Sequence, residues 1–309
     1  MFKKLFGKDS APKAEEAHRT LSLSVSRSIM GAVGAKGIPT MPGAAQKAFQ
    51  LATDPNAEAR DFIDVIESDE SLSARVVKIA NSVFFDRGKP STSIEESVIV
   101  IGINELRCLL NATTLSEIFP SKHSARAQLW ANDIATGLIS RTLAQRFCQG
   151  KDDTAFLGGL MHDIGKLLLL QRVPADYSKI LDLVRGGNHD FCQAEESVFP
   201  FDHTEAGLLI GEKWKFTKEL LGIIRGHHNP WEEFSSTASL PALVKAADLI
   251  AHSLGLGHPR GFGKFQNSCE KLLAEAWEFL GIAPDERRGL LQNVKRTFDL
   301  EFELYSGQM

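Results

Sequence analysis

Several features that would assign this 309-residue chain to a common protein class are scarce or missing. Its four cysteines are far apart and form no Cys-x-x-Cys pair, which excludes a zinc ribbon and a disulfide framework and favours reduced thiols. No apolar run reaches the roughly 18 residues that a membrane span needs, and the N-terminus lacks a secretory apolar region. We therefore expect a cytoplasmic protein without stable membrane insertion.

The sequence also lacks any segregation of charge. Its 35 basic and 39 acidic residues give a formal net charge of -4 and are interleaved along the chain, so no basic face is available for DNA or RNA. Binding to nucleic acid is disfavoured on this ground. The hydrophobic content of 43% is that of a folded globular protein.

Alternating polar and apolar runs between hairpin turns are missing as well, whereas nearly every periodic segment has helical spacing. The predicted fold class is all-α. In the second half of the chain, the periodicity predicts helices over residues 128–147, 154–170, 175–185, 203–214, 218–226 and 240–254.

Breaks in this pattern predict the domain organisation. Residues 1–37 would form an N-terminal arm and helix, and Pro39 and Pro42 open the main domain because they fix extended backbone. The main domain would cover residues 38–257, with a helical layer over 38–120 and a second half over 128–257. A glycine-rich loop then leads into a C-terminal helical extension over residues 258–309.

The strongest local signal is the segment 158–166, Gly-Gly-Leu-Met-His-Asp-Ile-Gly-Lys, on an otherwise apolar helix. It puts the imidazole of His162 beside the carboxylate of Asp163, and a buried carboxylate needs compensation by a metal ion or hydrogen bonds. Lys166 lies one turn after His162 and can hold a phosphate or carboxylate oxygen. Two simpler readings stay open: His162 as a hydrogen-bonded core residue, and Lys166 as a side chain that extends over the core.

Further candidate ligands follow downstream, at helix ends or inside apolar helices. The full set is His162, Asp163, His203, His227, His228 and Asp248. Such nitrogen and oxygen ligands suit one or two ions of zinc, iron or manganese. Two ions that share a carboxylate could activate water for attack on phosphorus, with Lys166 neutralising charge. Four other histidines are interpreted as ordinary surface or loop residues, namely His123, His189, His252 and His258.

Together these motifs resemble the HDOD family, the regulatory output-domain relatives of the HD and HD-GYP phosphohydrolases. The resemblance covers roughly residues 38–255 and depends on an ordered series rather than on one piece. The series comprises Ile38-Pro-Thr-Met-Pro42, Ile66-Glu-Ser-Asp69, residues 72–82, Ser93-Ile-Glu-Glu-Ser-Val98, Ile101-Gly102, residues 156–166 and Trp214. It implies a helical HD-type bundle.

The resemblance also implies roles for individual residues. His162 and Asp163 match the HD pair, with Asp163 as the bridging carboxylate, and Lys166 matches a phosphate-side lysine. His203, His227, His228 and Asp248 match the later ligands of the two-metal pattern. The chain departs from that pattern at the first histidine, where it offers Asn132, or Asp133 if the register differs by one. It has Asn229-Pro-Trp231 instead of Gly-Tyr-Pro after the double histidine, so the cyclic di-GMP-binding loop is absent.

These observations lead to two functional hypotheses. The first is a bacterial signalling protein with a degenerate, non-catalytic pocket that acts on a partner protein, on a second copy or through a small nucleotide. The second is a metal-dependent phosphohydrolase that acts on a nucleotide or cyclic dinucleotide, with Asp163 and Lys166 as catalytic groups.

Overall fold

The computed structural model describes residues 21–41, 43–54 and 56–306. Over these ranges the chain forms helices and no strands, which confirms the predicted all-α class. Helix α1 Leu23–Val33 precedes the N-terminal layer and packs against the second half. The helices of the layer are α2 Gly43–Thr53, α3 Ala59–Glu67, α4 Glu70–Ala80, α5 Ile94–Ile101 and α6 Ile103–Ile118. Most of the N-terminal arm expected in residues 1–37 lies outside the described residues.

The second half contains the helices that carry the histidines. They are α7 Arg126–Phe147, α8 Asp152–Met161, α9 Ile164–Arg172, α10 Pro174–Arg185, α11 Phe191–Glu196, α12 His203–Trp214, α13 Lys218–Gly226 and α14 Leu240–Ser253. A short 3-10 turn over Trp231–Glu233 links α13 to α14, and the C-terminal helices are α15 Gly263–Leu280 and α16 Pro284–Ser306.

Local sequence signals explain the N-terminal layer. The Asp69 side chain accepts a hydrogen bond from the Leu72 amide at 3.0 Å and so starts α4. Ser93 caps α5 in the same way, through the Glu96 amide at 3.1 Å. The Glu96 carboxylate reaches back to the Thr92 amide at 2.9 Å, one residue before the capping serine. These caps fix where the apolar faces begin.

In the second half, α7 is the central helix, and α8 and α14 pack against it. Glycine allows the closest approaches. A Cβ atom at Gly159 would lie 2.8 Å from the backbone nitrogen of Gly137 in α7, and one at Gly165 would lie 1.9 Å from the His203 carbonyl oxygen of α12. Any larger residue at these positions would separate the helices that hold the site.

One predicted helix is wrong in an informative way. Residues 154–170 do not form a single helix, because α8 ends at Met161 and α9 begins at Ile164. His162 and Asp163 occupy the turn between them. Gly165 then allows α9 to lie against α12, because a side chain at this position would collide with the His203 carbonyl. The other predicted helices of this half agree with the structure to within two residues at each end.

The N-terminal segment and the C-terminal helix both pack against the second half. The Trp214 ring nitrogen donates to the Pro39 carbonyl at 3.0 Å, and Arg172 donates to the Gly37 carbonyl at 2.8 Å. At the other end, the Tyr305 ring of α16 lies 4.9 Å from the Phe156 ring of α8. The C-terminal extension is thus part of the packed protein.

No single helix among the described residues is long and apolar enough to cross a membrane. Helices α5 and α6 meet that requirement only together, and the pair is bent by 103°.

Candidate metal centre

The predicted site residues converge where the turn between α8 and α9 meets α7, α12, α13 and α14. The structure brings together all six predicted ligands in this region. Five of them are buried and no more than 6% exposed, namely His162, Asp163, His203, His227 and Asp248. His228 is the exposed member and lies at the rim.

Asp163 is at the centre of this cluster, and its two carboxylate oxygens face different partners. Oδ1 lies 3.1 Å from Nε2 of His203 and 3.6 Å from Nε2 of His227. Oδ2 is paired with the Lys166 ammonium group and lies 3.3 Å from Nε2 of His162. This geometry lets one carboxylate serve two neighbouring groups of ligands.

Two groups of side chains could each hold a metal ion, and both include Asp163. We call Asp163, His203, His227 and His228 the histidine-rich set, and Asp133, His162 and Asp163 the carboxylate-rich set. Within each set, the ligand atoms lie within 4.8 Å of one another. Asp248 borders the carboxylate-rich set, since its Oδ1 atom lies 3.5 Å from Nε2 of His162.

Asp133, and not Asn132, faces the site from α7. The Asn132 amide group donates to the Leu256 carbonyl at 3.2 Å and lies 3.4 Å from Nδ1 of His252, and it belongs to neither ligand set. Asp133 is 1% exposed and lies in the carboxylate-rich set. The register that places Asp133 in the site is therefore the one that the structure adopts, and a carboxylate lies where the resemblance implied a histidine.

The site contains buried polar atoms that have no hydrogen-bond partner among the described residues. They are Oδ2 of Asp133, Nε2 of His162, Oδ1 of Asp163, Nε2 of His227 and Oδ1 of Asp248. Because unpaired buried polar atoms are rare and costly, their concentration at one point calls for a missing partner.

The histidine tautomers are suitable for such a partner. Nδ1 of His162 donates to the Gly159 carbonyl at 2.7 Å, and Nδ1 of His227 donates to the Ile224 carbonyl at 3.0 Å. In both rings this leaves Nε2 as the nitrogen that is directed into the cluster. The donor set of imidazole nitrogens and carboxylate oxygens fits divalent transition-metal ions.

The carboxylates respond differently to burial. Burial alone would raise the pKa of Asp163, but His162, Lys166 and His203 hold that pKa well below its ordinary value. At Asp133 burial prevails and raises the pKa well above the usual range, although His162 opposes it. These opposite shifts favour the ionised form of Asp163 and the neutral form of Asp133.

The two histidines of the histidine-rich set that face Asp163 also differ. Burial acts to lower the pKa of His203, but the carboxylates of Glu195 and Asp163 prevail and raise it to about 10. Burial lowers the pKa of His227 to about 4, and its interaction with Asp163 does not reverse the shift. His227 is ready to ligate at neutral pH, whereas His203 must first lose a proton.

Lys166, predicted to hold a phosphate or carboxylate oxygen, is almost fully buried. It is 2% exposed, is paired with Asp163 and has its ammonium nitrogen 3.9 Å from the centre of the Phe191 ring. The sequence predicted either a phosphate or a carboxylate oxygen as the partner of Lys166, and in the structure the partner is a carboxylate oxygen of Asp163. The helical spacing from His162 does not apply, because the helix is broken between them.

The interpretation of His252 as an ordinary surface or loop residue is wrong. His252 is 5% exposed, and its Nε2 atom lies 3.2 Å from Oδ1 of Asp248. Its spacing of four residues from Asp248 on one helix was a signal that could have identified it. His258 also approaches the site through His252, because Nε2 of His258 lies 2.7 Å from Nδ1 of His252.

Glu195 is a second residue that sequence reasoning missed. It is fully buried and contacts His203. No motif or spacing in the sequence marks it, since it lies in the short helix α11 eight residues before its partner.

A cavity of about 160 Å³ lies beside the cluster. Its polar lining includes His227, His228, Lys245 and Asp248, and Trp231 contributes an aromatic face. Helix α15 supplies further lining through Phe265, Cys269 and Leu272. The C-terminal extension therefore helps to form the pocket.

Comparisons with known proteins agree with this architecture. The HDOD domain family model matches residues 38–230. An uncharacterized protein of Treponema pallidum is 24% identical over 193 residues, which are 62% of this chain but only 38% of that protein. The chain thus spans well under half the length of this relative.

Solved structures show the same fold. An HDOD domain protein of unknown function from Geobacter sulfurreducens has a TM-score of 0.65 at 24% identity, covering 88% of this chain and 96% of that one. A Shewanella amazonensis protein, provisionally named a phosphohydrolase, has a TM-score of 0.67 at 23% identity, covering 93% and 97%. A Marinobacter aquaeolei protein, provisionally assigned to signal transduction, has a TM-score of 0.69 at 21% identity, covering 88% and 60%. The family match spans more than half of the chain, and the protein belongs to the HDOD family.

Proposed function

We propose that this HDOD protein binds two divalent transition-metal ions at the Asp163 centre and hydrolyses a phosphate ester there. The observation that carries the proposal is the sharing of Asp163 between the histidine-rich and carboxylate-rich sets. The structural relative from Shewanella, provisionally named a phosphohydrolase, is consistent with it.

Each set would hold one ion. His203, His227 and His228 would serve the first, and Asp133, His162 and Asp248 the second, with Asp163 between them. When bound, such ions lower the pKa of a water molecule and neutralise charge on a phosphoryl group. The missing first histidine, which argued for a degenerate site, has less weight because Asp133 offers an oxygen ligand in its place.

The protein's own residues would bind and orient the substrate. The cavity of about 160 Å³ has room for a phosphoryl group and a few more atoms beside His227 and His228. The Lys245 ammonium nitrogen, 4.7 Å from the centre of the Trp231 ring, adds positive charge to the cavity wall. The substrate class that these features favour is a small phosphate ester.

Metal content and turnover test the proposal together. Freshly purified protein is analysed for metals, then assayed with p-nitrophenyl phosphate, nucleoside monophosphates and cyclic dinucleotides in added Mn²⁺, Fe²⁺ or Zn²⁺. We expect two ions per chain and turnover that Asp163→Asn abolishes. Asp69→Asn is the matched control, because asparagine also caps a helix and Asp69 lies in the N-terminal layer. A metal-free wild-type protein, or turnover no higher than with metal alone, would refute the proposal.

A second candidate is a non-catalytic regulatory module that uses the same pocket. The specific observation in its favour is the state of Lys166, the expected electrophilic helper, which is ion-paired with Asp163 and packed on Phe191. In this case the bound metal would stabilise a conformation that a partner protein or a second copy of the chain binds. Metal-loaded protein that hydrolyses none of the substrates, but changes its oligomeric state with metal in light scattering, would favour this candidate.

A further inference from the structure

We infer that Glu195 is a positioning residue of the metal centre, which orients His203 so that its Nε2 atom faces Asp163. The inference rests on the proposed function in that it presumes metal binding at the histidine-rich set. It extends the centre to a residue of α11 that is not itself a ligand.

Glu195 is fully buried, and both of its carboxylate oxygens accept hydrogen bonds. Its Oε2 atom accepts a hydrogen bond from the His203 backbone amide at 2.7 Å and another from Nδ1 of the same residue at 2.6 Å. Its Oε1 atom accepts from the Tyr177 hydroxyl at 3.2 Å. Three donors compensate the burial of this side chain, whose exposure is 0%.

These contacts determine which ring nitrogen of His203 faces the cluster. With Nδ1–H donating to Glu195, Nε2 lies 3.1 Å from Oδ1 of Asp163 and 3.1 Å from Nε2 of His228. The His203 backbone amide donates to the same carboxylate. Glu195 therefore holds the main chain at the first residue of α12 as well as the imidazole ring. One side chain therefore fixes both the main chain and the imidazole of a candidate ligand.

His203 differs in this respect from the other buried histidines of the cluster. His162 and His227 direct Nδ1 to backbone carbonyls, those of Gly159 and Ile224. A carboxylate partner makes an imidazole a stronger ligand than a carbonyl partner does, and replacing such partners commonly weakens metal binding 10- to 100-fold. We therefore expect Glu195 to affect the ion of the histidine-rich set alone.

His252 provides a control on the other side of the centre. It lies next to Asp248, with Nε2 and Oδ1 separated by 3.2 Å, and it does not contact His203. Replacing it should weaken the ion of the carboxylate-rich set. The two substitutions thus separate a local positioning effect from a general loss of structure.

The experiment measures the affinities of both ions by zinc titration against a competing chelator, with ¹¹³Cd NMR to count occupied positions. Glu195→Gln keeps the size of the side chain, and we expect one affinity to fall by about 10- to 100-fold while the other is unchanged. His252→Gln should lower the affinity of the ion that Glu195→Gln leaves unchanged. Tyr177→Phe, which leaves the carboxylate in place, should change neither affinity more than about threefold. If Glu195→Gln does not fold, Glu195→Asp retains the charge and should still weaken one ion selectively.

The outcomes distinguish this inference from the proposed function. Two ions in the wild type, together with wild-type affinities for both in Glu195→Gln, would overturn the role of Glu195 and leave the proposed function intact. An equal loss of both ions would also overturn it, because that is the result expected of a purely structural residue. A wild-type protein that binds no metal would overturn both.

Discussion

The N-terminal layer and the second half of this protein are built from the same kind of helix but bury different groups. In the described part of α2 to α6, the buried polar side chains are neutral; Ser97 and Thr113, for example, both donate to a nearby carbonyl. Every buried acidic, basic or histidine side chain of the described chain lies between Asp133 and His252. Burying charge is costly, and the buried ionisable groups are restricted to the second half. This restriction places the candidate functional site there, and the N-terminal layer contributes apolar packing.

The largest effect on stability should come from breaking the buried ion pair of the second half. Lys166→Met removes the ammonium partner of the buried Asp163 carboxylate, and we expect the metal-free protein to lose about 3–5 kcal/mol of unfolding free energy. Added Mn²⁺ should recover part of this loss, since it replaces the missing positive charge. Urea denaturation with and without metal measures both effects.

A matched control for this substitution is present in the chain. Lys179 and Asp176 form an ion pair with the same three-residue spacing, but both side chains are well exposed. Lys179→Met should cost no more than about 1 kcal/mol and should not respond to metal. Equal losses for the two lysines would contradict the contrast between buried and exposed charge.

The converse change removes apolar contacts from the layer. Leu106 of α6 is fully buried, and Leu106→Ala should lower the unfolding free energy by about 2–5 kcal/mol. Its metal content should stay that of the wild type, because the layer contributes no residue to either ligand set. A loss of metal in this variant, measured on folded protein, would mean that the layer shapes the centre.

The sequence predicted much of the second half and missed specific parts for physical reasons. Periodicity and caps defined helices such as α12 and α13 to the residue. The break at His162 was missed because apolar residues continue on both sides of it, as in one uninterrupted helix. The choice between Asn132 and Asp133 depends on about 100° of helix rotation, which flanking apolar residues do not fix. Glu195 could not be identified from the sequence, because it approaches its partner His203 only after α11 and α12 have packed.

We expect a smaller effect from pH, because stability and metal affinity should change gradually as His203 of the second half titrates. The pKa of His203 is raised to about 10, so its charged form stabilises the metal-free protein fully below about pH 6.5. That stability is lost as the pH rises toward 10. Metal binding must release this proton, so affinity should increase by up to about tenfold per pH unit over the same interval.

Calorimetry in buffers of different ionisation enthalpy measures the released protons directly. Leu106→Ala should release the same number as the wild type, because it leaves His203 and its partners unchanged. A metal affinity independent of pH between 7 and 9 would contradict the assigned state of His203.

The smallest effect is expected for Asn132, the neighbour of Asp133 on α7. Its amide donates to the Leu256 carbonyl, so Asn132→Ala should cost about 1 kcal/mol and retain both metal ions. Asp133→Asn removes a carboxylate from the carboxylate-rich set and should selectively lose one ion. Metal analysis of the two folded variants tests the register of α7 at single-residue resolution. If Asn132→Ala lost the ion and Asp133→Asn kept it, the ligand from this helix would be the asparagine, and the oxygen ligand proposed at Asp133 would be wrong.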